Sequence, residues 1–292
     1  MSQQKRGRLP DWFRVPSPLA VESRRVHQIL REYGLNTVCQ RAVCPNRGQC
    51  FAAGTATFLI MGPFCTRHCN FCAVPSGVPR PVDPTEPRRL VAAVGELGLR
   101  HVVVTSVTRD DLADGGACHF AAVIRELKRV PGVIVEVLTP DFGGDLAALQ
   151  EVVAAGPVIF GHNLETVARL YNKVRPEADY QRSLWVLKTV KHLNARILTK
   201  SGLMVGLGET AGEVLEALLD LRANGCDMVT VGQYLQPTGG QIPAVEFIPP
   251  QMFADWEVQA KKLGFSSVVM GPLVRSSFRA AAIAAGFSVG SN

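Results

Sequence analysis

Cys65, Cys69 and Cys72 stand three and two residues apart, directly after an apolar run that predicts a β-strand. A loop of that length can wrap three thiolates around three corners of a 4Fe-4S cube and leave the fourth iron without a protein ligand, free to bind another molecule. Structural zinc is the alternative. Zinc sites, however, favour paired CxxC halves that close a tetrahedron, and no fourth ligand is evident beside this triplet. His68 lies inside the loop, and its position between two cysteines makes it a spacer.

A second triplet, Cys39, Cys44 and Cys50, precedes the first. Buried reduced cysteines often serve only as small core hydrophobes, but three of them in a loop with Pro45, Asn46 and Gly48 point to a second cluster. Of the eight cysteines, six fall between Cys39 and Cys72. The remaining two, Cys118 and Cys226, are single thiols on or beside predicted helices and read as packing or incidental residues with no ligand role. The basic N-terminus is followed by Leu9-Pro10-Asp11-Trp12 in place of an apolar core, so it does not read as a secretory signal. A cytoplasmic location follows, and its reducing environment favours metal or redox roles over disulfides.

These cysteines need a scaffold. The chain has 292 residues, of which 47% are hydrophobic and 19% charged, a globular balance with no segment apolar enough to span a bilayer. The formal charge of +6 favours an acidic partner, yet no basic stripe interleaved with aromatics marks a nucleic-acid surface. Residues 1 to about 20, with Lys5, Arg6 and Arg8, read as an extended arm.

Apolar β-branched runs then alternate with amphipathic stretches, the pattern of βα units around a parallel sheet. Strands are expected at Thr55–Met61, His101–Val107, Val133–Thr139, Val158–Asn163, Arg196–Val205 and Met228–Tyr234. Helices are expected at Ser23–Tyr33, Glu86–Leu97, Cys118–Arg129, Asp145–Ala154, Leu164–Tyr171, Tyr180–His192, Ala211–Ala223 and Pro250–Leu263. Polar residues follow the strands, which fits an α/β fold of the partial (β/α)6 TIM-type barrel kind with its chemistry at the C-terminal strand ends. A doubly wound open sheet would give much the same pattern.

At Cys65, Cys69 and Cys72, with Phe71 before the last thiol, the chain resembles the radical S-adenosylmethionine (SAM) superfamily. Over Arg24 to Arg279 it resembles the lipoyl synthase family within it, and the upstream Cys39, Cys44 and Cys50 match that family's auxiliary-cluster motif. Further matches lie at strand ends: Thr105 to Asp111, Glu136 to Asp141, His162 to Thr166, Lys200 to Glu209 and Gly232 to Pro237. Arg275-Ser276-Ser277-Phe278-Arg279 resembles the family's RSSY motif, with Phe278 replacing the tyrosine. Taken alone, the paired serines read as a helix N-cap. Ala73 stands where an acidic residue is common.

The resemblance implies an enzyme, a sulfurtransferase that carries two 4Fe-4S clusters and uses SAM. Cys65, Cys69 and Cys72 would hold the cluster that chelates SAM and reduces it to a 5'-deoxyadenosyl radical. Cys39, Cys44, Cys50 and the hydroxyl of Ser277 would hold an auxiliary cluster, itself consumed as the sulfur donor to C6 and C8 of a protein-bound octanoyl-lysine in lipoate biosynthesis. Ser277 is thus both ligand and catalytic candidate. Thr105, Ser106, Glu136, Asn163, Lys200 and Gln233 are candidates to position SAM, although Glu136 and Lys200 could instead form an internal ion pair and Asn163 a helix cap. Implied partners are an octanoylated lipoyl-carrier domain (a dehydrogenase E2 subunit or glycine-cleavage H protein) and an electron donor such as ferredoxin or flavodoxin, with no nucleic acid and no membrane. Three segments are expected: residues 1–54 as arm and auxiliary-cluster extension, 55–264 as the radical SAM barrel, and 265–292 as a C-terminal segment closing over the barrel mouth.

Overall fold

In the computed structural model, residues 9–14, 20–52 and 56–277 are described. Lys5, Arg6 and Arg8 of the basic arm, Thr55, and Phe278 and Arg279 of the C-terminal motif lie outside them.

An N-terminal extension comprises α1 (Ala20–Glu32), β1 (Asn36–Thr37), α2 (Val38–Arg41) and α3 (Arg47–Ala52). Seven βα-type strands follow with their helices: β2 (Thr57–Ile60), α4 (Glu86–Leu97), β3 (His101–Ser106), α5 (Ala117–Leu127), β4 (Ile134–Leu138), α6 (Leu146–Ala155), β5 (Ile159–Gly161), α7 (Tyr171–Val174), α8 (Tyr180–Leu193), β6 (Leu198–Val205), α9 (Ala211–Ala223), β7 (Met228–Gln233), α10 (Pro250–Lys262) and β8 (Ser267–Gly271). The strands form one sheet in sequence order, with β2 to β8 parallel and β1 antiparallel to β2 at the edge. Among the described residues β8 does not pair back to β2, so the barrel stays open. No helix among the described residues is long and apolar enough to cross a membrane.

Local chemistry sets the boundaries. Helix α4 starts with Pro87 in its first turn and ends at Gly98, whose φ of 66° supplies the left-handed cap that glycine adopts without a Cβ penalty. Helix α9 opens with a capping box in which Thr210 and Glu213 satisfy each other's backbone amides. Strands β2, β3, β5 and β7 are nearly all buried, as expected where helices cover one face and packed side chains fill the other, whereas β8 is only partly buried.

Two expectations need correction. The helix expected at Leu164–Tyr171 is absent over 164–167; a short 3-10 turn, Ala168–Leu170, and α7 take its place. Glu165 instead bridges to Leu203 like a strand residue, donating its N–H to Gly202 O at 2.9 Å and accepting from Met204 N at 2.8 Å. This pairing holds Glu165 at φ 67° and overrides the helical pattern. The other correction is to strand number: β8 extends the six expected units by a seventh parallel strand, its short run Val268–Val269–Met270 paired along β7.

Inside the barrel Glu136 of β4 meets Lys200 Nζ of β6 at 2.7 Å and His101 Nε2 of β3 at 2.9 Å, all three buried. Burial pushes the Glu136 pKa up, but the Lys200 charge and the His101 hydrogen bond outweigh it and hold the carboxyl below its usual range. Removing one member of a buried pair leaves an uncompensated charge. Lys200→Met should therefore cost about 3–5 kcal/mol in urea denaturation, and the double change Glu136→Leu/Lys200→Met should recover much of that loss.

Candidate iron-sulfur and cofactor site

The first thiol loop leaves β2 through a sharp bend. Met61 takes φ 65° and Gly62 φ 93°. The Met61 N–H donates to Glu86 Oε2 at 3.0 Å, and that oxygen also meets His119 Nε2 at 2.7 Å. Beyond the bend, Cys65 N donates to Pro75 O and Gly77 N to Cys65 O, both at 2.9 Å, while Cys72 N closes on Cys69 O at 3.0 Å. Backbone amides aim at the sulfurs themselves: Thr108 N lies 3.3 Å from Cys65 Sγ, and Val74 N lies 3.4 Å from Cys72 Sγ. The Cys72 thiol is pushed up to about 12 by burial, with Cys69 and Cys65 adding to the shift, so the three sulfurs share one enclosure.

Arg67, between the first two thiols, anchors the loop. Its Nε and Nη2 donate to the Asp110 carboxylate at 2.8 Å each, and Nη2 reaches Asp141 at 2.8 Å. Burial alone would raise the Asp141 pKa, but Arg67 holds it down to about 2. His68 is exposed, with Nδ1 3.0 Å from Ser76 Oγ and its N–H donated to Glu177, so it acts as a spacer in the loop. Asn70 ties the far side of the loop down through Val174 O at 3.0 Å and Lys173 O at 2.8 Å.

The upstream triplet is built on two short helices. Cys39 sits on α2, Cys44 follows it with its N–H on Cys39 O at 3.1 Å, and Cys50 sits on α3. Burial pushes the Cys50 thiol up to about 12, with Cys39 and Cys44 adding to the shift. The C-terminal segment packs on this triplet: Asn46 Nδ2 donates to Leu273 O at 2.6 Å, and Arg275 faces Cys44. Gly232 allows the crossing, since a Cβ there would stand 2.0 Å from Val274 O. Ser277, half-buried, is the last described residue.

The cofactor candidates separate into two groups. Thr105 Oγ1 donates to Leu138 O at 2.8 Å, Glu136 and Lys200 engage each other, and buried Gln233 braces Glu246 O at 2.9 Å and Ile248 N at 2.8 Å. These polar groups are engaged within the barrel. Ser106 Oγ and Asn163 Oδ1, by contrast, are buried at strand ends with no hydrogen-bond partner among the described residues, and so is His162 Nε2. Burial, reinforced by Arg175, pushes His162 down to about 4, so the ring is neutral at pH 7. Gly202 leaves room beside this group, because a Cβ there would come 3.0 Å from Asn163 Oδ1. Orphaned buried polar atoms are costly, and such atoms at the C-terminal ends of β3 and β5 fit a polar ligand such as SAM.

Sequence reasoning missed Glu165, Arg175 and Arg275 as members of the site. Glu165 and Arg275 lay within the quoted motifs, but Arg175 carried no signal. Cys226 is fully buried, with its thiol 3.2 Å from Met228 O, and Cys118 is exposed on α5.

The profile described as the Radical SAM superfamily matches residues 59–221. A lipoyl synthase of Caldanaerobacter subterraneus subsp. tengcongensis is 57% identical over 273 residues, covering 94% of this chain and 96% of that protein. One of Thermus thermophilus is 53% identical over 274 residues, covering 93% and 85%. Among solved structures, methylornithine synthase (PylB) aligns with a TM-score of 0.54 at 15% identity, over 87% of this chain and 82% of its own. Streptococcus suis SuiB bound to S-adenosylmethionine aligns with a TM-score of 0.58 at 12% identity, over 72% and 48%. At such identities the likeness is one of fold, and it agrees with the open barrel. The profile and the near full-length relatives together establish that the chain belongs to the lipoyl synthase family of the radical SAM superfamily.

Proposed function

We propose that this enzyme inserts two sulfur atoms, at C6 and C8, into a protein-bound octanoyl-lysine. The single observation that carries the reading is the pair of thiol triplets in one chain, the upstream one packed against Leu273 and Arg275. Cys65, Cys69 and Cys72 would hold one 4Fe-4S cluster, with SAM at its open iron. Cys39, Cys44, Cys50 and Ser277 would hold the second, the sulfur donor. When bound, these groups supply the reductive cleavage of SAM that abstracts hydrogen from unactivated C–H bonds, a task beyond side-chain acids and bases.

The chain's own residues bind and orient. Backbone amides of Thr108 and Val74 donate to cluster-ligand sulfurs, which stabilises their negative charge. Ser106 and Asn163 have unspent hydrogen-bonding capacity with which to receive polar atoms of SAM. Neutral His162 offers its free Nε2 there without adding positive charge. Thr105, Glu136, Lys200 and Gln233 would shape the walls beneath it.

By this reading residues 1–54 and 265–292 complete the auxiliary site around a 55–264 barrel. The enzyme would work in the cytoplasm on an octanoylated carrier domain of a dehydrogenase E2 subunit or glycine-cleavage H protein, with electrons from a ferredoxin or flavodoxin. The net charge of +6 suits an acidic carrier.

Mass spectrometry of an octanoylated carrier peptide, incubated anaerobically with reconstituted protein, SAM and dithionite, tests the reaction. The expected product gains two sulfurs in place of two hydrogens; a methylthio product or an unchanged peptide contradicts it. Gly232→Ala tests the role of the C-terminal segment. The added methyl should drive residues 273–277 off β7, so iron at the upstream triplet is lost while reductive SAM cleavage to 5'-deoxyadenosine persists. Intact iron content in that variant would count against the segment completing the site.

A further inference from the structure

The connection from β5 to α8 carries a cation set against the first thiol loop. Asn70 N donates to Val174 O at 3.0 Å and Asn70 Nδ2 to Lys173 O at 2.8 Å, so the residue after Cys69 is tied to the two residues before Arg175. That register sets the Arg175 guanidinium beside Cys69, where its positive charge favours the thiolate. One nitrogen holds the side chain from behind. Nη1 donates to Asn163 O at 2.9 Å, Leu164 O at 3.2 Å and Tyr171 Oη at 3.0 Å, and the guanidinium carbon lies 5.4 Å from the Tyr171 ring centroid. Nε is buried and has no partner among the described residues.

The groups that face Arg175 are few: the Tyr171 phenol, the Glu165 carboxylate, Cys69, the neutral His162 ring and, more weakly, Asp141. Asp141 is already committed to Arg67 at 2.8 Å, which leaves the Glu165 carboxyl, held by Asn163 Nδ2 at 3.0 Å; burial pushes its pKa up, and Arg175 opposes that rise by favouring the charged form. Glu165 also faces Arg275, and Arg275 faces Cys44. Charges therefore alternate from one thiol triplet to the other.

We propose that Arg175 is a positioning residue that raises the reduction potential of the cluster held by Cys65, Cys69 and Cys72, with Glu165 as the counter-charge that moderates it. This rests on the reading that those three thiols hold a 4Fe-4S cluster. Reduction adds one electron, hence one negative charge, to the cluster. A fixed cation shielded from water stabilises the reduced form more than the oxidised one, and hydrogen bonds to ligand sulfurs act in the same direction. Arginine suits the position because it is always charged and its fork can bind carbonyls on one side while presenting that charge on another. The effect favours loading the cluster with the electron that SAM cleavage consumes.

The test is an EPR-monitored redox titration of the reconstituted full-length protein without SAM; the relevant signal is identified afterwards as the one that SAM perturbs. In Arg175→Gln the midpoint should move negative, corresponding to at least a tenfold smaller reduction equilibrium constant, where each tenfold is about 59 mV for one electron. Arg175→Lys, which keeps the charge, should move it less. Glu165→Gln should move it the other way, to more positive potential, a reversal that simple loosening of the loop would not produce. Should Arg175→Gln fail to hold a cluster, the sign of the Glu165→Gln shift decides alone. Full iron content with an unmoved midpoint in Arg175→Gln, or a negative or absent shift in Glu165→Gln, overturns the proposal while leaving the cluster reading intact. A wild-type protein with no cluster at these thiols overturns that reading and the proposal with it.

Discussion

Arg67 donates to two aspartates at once, and the position of the reactive loop depends on it. Asp110 belongs to the loop after β3 and Asp141 to the turn after β4, while Arg67 lies between Cys65 and Cys69. One guanidinium thus fastens the thiol loop to the ends of two neighbouring strands. The Asp141 carboxylate is buried, with Arg182 as a weaker second partner at 3.5 Å, so loss of Arg67 would leave a buried charge poorly compensated. Bidentate geometry fixes direction as well as energy. The loop is therefore held in place by protein contacts of its own. Two of its thiols are pushed toward the protonated form by burial, Cys72 up to about 12 and Cys69 in the same direction. Iron must displace such protons, which makes metal loading a proton-releasing step.

The second constraint is steric. Asn46 and Leu273 lie 227 positions apart in sequence, yet they are joined by a hydrogen bond at 2.6 Å. The C-terminal chain reaches the upstream triplet by passing over β7 where Gly232 has no side chain to obstruct it. Gly206 plays a related part: with φ 92° it leaves room for Gln233, whose Nε2 would lie 2.0 Å from a Cβ, to brace the loop carrying Glu246 and Ile248. Small residues at these crossings let chain segments close on the barrel mouth, where the two thiol sets face each other through Arg175, Glu165 and Arg275.

Much of this was legible in the sequence. Cysteine spacing marks both triplets in the chain, and the structure draws each set of thiols together. The βα alternation is a direct record of which faces are buried, so helices such as Glu86–Leu97 and Ala211–Ala223 matched their observed bounds. What could not be read depends on contacts distant in sequence. Glu165 leaves a helical pattern because β6 offers it backbone partners. Thr105 and Ser106 are equally polar neighbours, but only the fold distinguishes the hydroxyl that meets Leu138 O from the one left without a partner. Glu136 and Lys200 carried two readings, and only the 2.7 Å separation shows them engaged with each other. Arg175 is a lone arginine in a polar connection, and its meaning lies wholly in its neighbours.

Iron and sulfide analysis with Mössbauer spectroscopy tests most directly whether one chain holds two separate clusters on two separate thiol sets. Reconstituted wild-type protein should contain about eight irons per chain, and replacing either Cys39, Cys44 and Cys50 or Cys65, Cys69 and Cys72 by alanine should leave about four. Loss of all iron from either triple variant, or a wild type that takes up about one zinc in place of iron, would contradict it.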